Sequence, residues 1–101
     1  QFAVINATAA GDNQIVAAQA GVKIKVLHYT IVVDSANVVT WRNGATPVTG
    51  AMSLSANGGA VSPFVPAGAG HLFETAVNTA LNLNLGSAVG TRGHITYVLE
   101  A

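Results

Sequence analysis

The side chains with chemistry to offer are few: three histidines (His28, His71 and His94), four acids (Asp12, Asp34, Glu74 and Glu100), four bases (Lys23, Lys25, Arg42 and Arg92), and no cysteine. Imidazoles and carboxylates together can ligate a divalent metal, but such sites favour recurrent spacings, such as two histidines four apart on a helix or flanking one strand position. No histidine pair in this chain has such a spacing. Structural roles for the histidines, and no metal or other cofactor, are therefore expected. Acyl transfer by a serine needs a general base and an oxyanion hole beside the nucleophile. The Gly-x-Ser-x-Gly elbow is absent, and Ser53, Ser55 and Ser62 fall in strand or turn contexts. A glycosidase needs two carboxylates facing each other across a cleft, and two of the four acids, Asp12 and Asp34, lie in turn-like sequence. The glycine-rich pieces Gly86-Ser87-Ala88-Val89-Gly90 and Gly90-Thr91-Arg92-Gly93 lack the lysine of a phosphate-binding loop and open no helix, so they read as hairpin connections. The expectation is a protein that is not an enzyme.

Binding is then the remaining class of function, and charge narrows it. Charged residues make up 8% of the chain, against roughly 25% in an average soluble domain. The formal net charge is zero. Nucleic acid and anionic membrane surfaces attract clustered Lys and Arg, and the four bases here are scattered, so neither partner is expected. No apolar run approaches the roughly 20 residues of a membrane-spanning helix, and the chain reads as soluble. A sugar platform would need exposed aromatic rings. Aromatic residues amount to 6%, and Trp41, with Tyr29, is the candidate. Val39 shares the face of Trp41, so a core position competes with that reading.

These side chains must be positioned by strands. Apolar and polar residues alternate with period two, the signature of half-buried strands. Ala80-Leu81-Asn82-Leu83-Asn84-Leu85 sets leucines on one face and asparagines on the other, and His94 to Leu99 places Ile95, Tyr97 and Leu99 opposite His94, Thr96 and Val98. Phe2 to Asn6, Gln14 to Ala18, Val22 to Val33, Val38 to Arg42, Ala51 to Ser55 and Ala60 to Val65 also read as extended, and Phe73 to Ala80 has room for one helical turn. Turn signals separate them at Gly11-Asp12-Asn13, Ala20-Gly21, Asp34 to Asn37, Asn43-Gly44, Asn57-Gly58-Gly59, Pro66 to Gly70, Gly86-Ser87 and Gly90 to Gly93. The fold expected is all-β, a single domain over residues 1–101: an antiparallel β-sandwich, jelly-roll-like, of about eight short strands.

Two places depart from plain alternation. In Val22 to Val33 the face that carries Lys23 and Lys25 continues as Leu27, Tyr29, Ile31 and Val33. Either a bulge at Val26-Leu27 exchanges the faces, a loop of the same chain covers them, or Leu27, Tyr29 and Ile31 form a subunit contact. The segment Pro63 to Thr75 joins a proline-flanked piece, a glycine corner and the Phe73-Glu74 patch. It reads either as a crossover packing its aromatics on the core or as a docking loop. Leu27, Tyr29, Ile31, Phe73 and Glu74 are thus the expected interface residues.

The succession Gly11 to Ala18, Gly21 to Val26, Ala56 to Gly59, Pro63-Phe64, Phe73-Glu74-Thr75, Leu81 to Leu85 and Gly93 to Tyr97 resembles, in order and spacing, small proteins encoded among the structural genes of tailed bacteriophages. The resemblance covers nearly the whole chain. It implies a virion component of the capsid decoration or cement type, located on the capsid surface. Its partners would be the major capsid protein or another virion protein, and copies of itself, often as a trimer. A receptor- or glycan-recognition module of a phage fibre or tail is the alternative role. No catalytic motif is transferred by the resemblance.

Overall fold

The computed structural model describes residues 1–62 and 72–101. These residues form ten strand segments: β1 (Phe2–Ala7), β2 (Gly11–Val16), β3 (Lys23–Val33), β4 (Asn37–Asn43), β5 (Thr46–Pro47), β6 (Met52–Leu54), β7 (Gly59–Val61), β8 (Phe73–Glu74), β9 (Leu81–Leu85) and β10 (Thr91–Glu100). All pairings are antiparallel. One sheet runs β1-β10-β3-β7, with β8 also on β3; the other runs β2-β9-β4-β5, with β6 also on β4. β7 and β8 pair with different ends of β3, as β5 and β6 do with different ends of β4. The ten segments therefore fill eight strand positions; the chain crosses between sheets at each step except from β4 to the β5–β6 position, which is the order of a jelly-roll sandwich.

Alternation in the sequence becomes inside and outside in the fold. Leu81, Leu83 and Leu85 of β9 are buried, as are Ile95 and Tyr97 of β10 and Val39 and Trp41 of β4. They join Ile5, Ile24, Val26, Ile31 and Val33 in one core between the sheets. The segments Gly11-Asp12-Asn13 and Thr91-Arg92-Gly93, which read as turns, are the opening residues of β2 and β10. Pairing with Leu85, Asn84 and Leu83 of β9 in the first case, and with both β1 and β3 in the second, overrides their weak strand preference. Phe73-Glu74, at the start of the segment with room for a helical turn, is a two-residue strand held by Lys25 and Val26 of β3.

The face exchange in β3 has a local cause. Val26 pairs with Tyr97 and His28 with Thr96, leaving Leu27 as an extra residue on β3. This is a β-bulge: two residues stand against one and the strand's phase shifts by one position. Before it, Ile24 and Val26 point to the core; after it, Ile31 and Val33 do. His28 and Thr30, which uninterrupted alternation would set on the face of Ile24 and Val26, pair instead with Thr96 and His94 on the outer face.

Gly93 permits the close fit of β10 to β3. Its φ is +154°, and a β-carbon there would overlap the carbonyl of Thr30. It sits in the row Ile5–Gly93–Ile31, so the two isoleucines flank it on the core side.

Candidate functional site

The strand registers fix which side chains share the outer face of the first sheet. Reading across β1, β10, β3 and β7, one row is Asn6, Arg92, Val32 and Gly59; the next is Val4, His94, Thr30 and Val61; a third is Phe2, Thr96 and His28. Large apolar side chains lie open on this face: Phe2 is 74% exposed, Val4 73%, Val61 70% and Val32 45%. Phe2 and Val4 on β1 are separated from Val32 and Val61 on β3 and β7 by His94 and Thr30. The face is therefore a mixed band, with open apolar side chains on both sides of a polar middle. Several large apolar side chains open on one face favour a surface used for contact.

Ion pairs bound this band at both ends. At one end, in the row of Val32, Arg92 donates to Asp34 at 2.9 Å. Beyond the other, Lys25 donates to Glu100 at 2.6 Å and Lys23 lies 3.7 Å from Glu74. The hydrogen bond to Glu100, opposed by desolvation and helped by the charges of Glu100 and Glu74, holds the Lys25 ammonium above its ordinary range. Among the described residues, the side-chain charges at both ends of this face are paired, which lowers the cost of covering it with an apolar partner.

His28 and His94 occupy the middle of the band as diagonal neighbours, ring centroids 5.9 Å apart. Ser62 Oγ accepts the Tyr29 amide N–H at 2.8 Å and lies 3.3 Å from His28 Nδ1, while Thr30 Oγ1 is 3.4 Å from His28 Nε2. These contacts orient the imidazole on the sheet. Among the described residues, no group of three His, Cys, Asp or Glu side chains is placed to hold a metal, and His71 lies outside the described residues.

The outer face of the second sheet is different in kind. It presents Asp12, Gln14, Asn82, Asn84, Thr40 and Arg42, linked by Asn84 Nδ2 donating to Asp12 at 2.9 Å and by an Arg42–Asp12 ion pair at 3.5 Å. Asn82 Nδ2 donates to the Gly44 carbonyl at 2.9 Å, and Arg42 Nε is buried without a hydrogen-bond partner. Near the end of this sheet lies a shallow depression of about 370 Å³, lined by Ala36, Asn37, Val38, Ser53, Leu54, Gly86 and Ser87, none of them titratable.

Several expected site residues move inward. Leu27 and Ile31 are buried, so they are not available as a contact surface; the bulge turns Ile31 into the core. Tyr29 is half-buried, its ring 5.4 Å from Trp41 and 6.3 Å from Phe73, with its hydroxyl directed to Met52 Sδ at 3.7 Å. Burial raises the phenol above its ordinary value of 10.0. Trp41 has no exposed surface and packs between Tyr29 and Phe73. A ring sealed between two sheets cannot stack on a sugar, so Trp41 is not a glycan platform. The Phe73-Glu74 patch divides: Phe73 turns to the aromatic cluster, while Glu74 joins Lys23 on the outer side. Of the expected docking crossover, residues 63–71 lie outside the described residues.

Sequence reasoning missed Phe2, Val4, Val32 and Val61 as members of one face. The signal available was that β1 is apolar on both of its faces in a chain otherwise poor in charge. No protein-family model, curated protein or solved structure matches this chain.

Proposed function

We propose that this protein is a structural component of a tailed-phage virion: a decoration protein that lies on the capsid surface, binds the major capsid protein or another virion protein, and stabilises the lattice. The observation that carries the reading is the set of open apolar side chains, Phe2, Val4, Val32 and Val61, that flank His94 and Thr30 on the outer face of the first sheet, with ion pairs at both ends. A free monomer gains nothing from keeping such side chains in water. A lattice protein removes them from water at each site, at about 25 cal/mol per Å² of apolar area. Repetition over many sites turns a modest contact into a stable coat. The resemblance to tailed-phage structural proteins supports the same reading, and so does the contrast with the polar outer face of the second sheet, where Asp12 is paired with Asn84 and Arg42.

The test is co-sedimentation with heads of the phage whose genome carries this coding sequence, stripped of the protein. Wild-type protein is expected to pellet with the heads and raise their resistance to heat. Val61→Asp, with its side chain already in solvent, should stay folded and lose at least tenfold in binding. Failure of the wild-type protein to bind, or unchanged binding by Val61→Asp, would refute the reading.

A further inference from the structure

The open edge of β1 carries an inference that goes beyond capsid binding. β1 is the first strand of its sheet, with β10 on one side and no strand on the other among the described residues. The Tyr97 N–H donates to the carbonyl of Gln1 at 2.8 Å, and the register runs unbroken from Phe2↔Thr96 to Ala7↔Thr91. Antiparallel pairs alternate between bonded and non-bonded types. The N–H and C=O groups of Ala3, Ile5 and Ala7 therefore face β10, and those of Phe2, Val4 and Asn6 face outward.

Exposed edges are usually guarded by charge, proline, a bulge or short length. The other edge segments follow this rule. β2 carries Asp12 and a register break between Gln14 and Val16; β5 has two residues, one of them Pro47; β6 and β7 have three each; β8 has two, including Glu74. β1 has six residues, no charge, no proline and no bulge.

We propose that β1 is the protein's self-association edge, pairing antiparallel with β1 of a second copy about a two-fold axis. The occupant must be an extended strand, because outward backbone donors and acceptors two residues apart are satisfied in full only by another strand. It is a second copy because the edge is complementary to itself. With Val4 set opposite its own counterpart, Phe2 meets Asn6 and Asn6 meets Phe2, so every outward backbone group finds a partner. The zero net charge of the chain sets up no repulsion between copies. A three-fold ring would need β1 to meet a different edge, and each of the others is guarded. The two-fold axis stands normal to the sheet, so the apolar bands of the two copies lie side by side and face the same way.

Analytical ultracentrifugation of the 101-residue chain without any capsid tests this separately from the proposed function. The expected species has twice the 10.2 kDa chain mass. Val4→Lys places a charge on the edge, and Val4→Pro removes a donor that β1 does not use toward β10. Both should sediment as folded monomers, whereas Val61→Asp should remain a dimer. By hydrogen exchange, the amides of Phe2, Val4 and Asn6 in the wild-type chain should be protected in proportion to dimer formation. A wild-type monomer at every concentration, a trimer, or a dimer that persists in Val4→Lys with freely exchanging β1 amides would overturn the proposal. Should Val4→Pro fail to fold, Val4→Lys and the wild-type exchange pattern decide it.

Discussion

Trp41 and Tyr29 meet across the space between the two sheets, ring centroids 5.4 Å apart and planes tilted by 60°. The contact joins β4 of one sheet to β3 of the other just beyond the bulge at Leu27. It commits Tyr29 to the inside and, by alternation, His28 and Thr30 to the outside. The composition of the outer face thus depends on a contact made in the core.

Truncating this contact should be costly and structural. Trp41→Ala is expected to lower unfolding free energy by about 3–5 kcal/mol, the usual cost of deleting a large buried aromatic ring. Urea denaturation followed by far-ultraviolet circular dichroism measures it. A loss under about 1 kcal/mol would mean that the indole is not packed as described.

The phase shift in β3 predicts opposite outcomes for adjacent residues. Ile31 is fully buried and Val32 is 45% exposed. Ile31→Asp would bury an unpaired carboxylate and should cost more than about 4 kcal/mol or prevent folding. Val32→Asp should change stability by no more than about 0.5 kcal/mol. Equal effects from the two, or their reversal, would show that the bulge is misplaced.

Gly93 should resist the smallest side chain. Gly93→Ala forces the new β-carbon against the Thr30 carbonyl at a φ of +154°, so β10 must separate from β3, at about 2–3 kcal/mol or more. Gly50→Ala, where nothing lies within 4 Å of the added atom, serves as the control and should be near neutral. Thermal melts of the two variants make the comparison.

Alkaline pH should destabilise the sandwich through Tyr29. Its phenol pKa is raised in the fold by burial. The folded state then holds the proton more tightly than the unfolded chain does, and stability falls as pH rises above the unfolded value of about 10 toward the folded one. In a Tyr97→Phe background, which removes the other phenol, phenolate absorbance should appear above pH 10.0 and together with unfolding. Titration at or below the ordinary value with the fold intact would contradict the burial of Tyr29.

Much of the sandwich was legible in the sequence because its central strands alternate cleanly. Leu81, Leu83 and Leu85 against Asn82 and Asn84, and Ile95 and Tyr97 against His94 and Thr96, leave one choice of inner face. The open apolar side chains of the first sheet were not legible as one face, for two reasons. One inserted residue at Leu27 exchanges every later assignment on β3, and period-two reasoning cannot tell a bulge from a change in what the outer face meets. On β1 the faces Ala3-Ile5-Ala7 and Phe2-Val4-Asn6 are both largely apolar, so pattern alone does not say which is buried. The fold places the smaller set inside, where β10 and the second sheet leave little room, and turns Phe2 and Val4 outward. Trp41 was ambiguous in the same way until Tyr29 and Phe73 were seen to close on it.

The central claim is that the outer face of the first sheet is the contact surface on the virion. Hydroxyl-radical footprinting of the protein bound to phage heads, compared with the free protein, tests it most directly. The account predicts strong protection of Phe2, Val4, Val32 and Val61, with Val38, on the outer face of the second sheet, as reactive as in the free protein. Protection of Val38 with Phe2 and Val61 still open to the radical would contradict it.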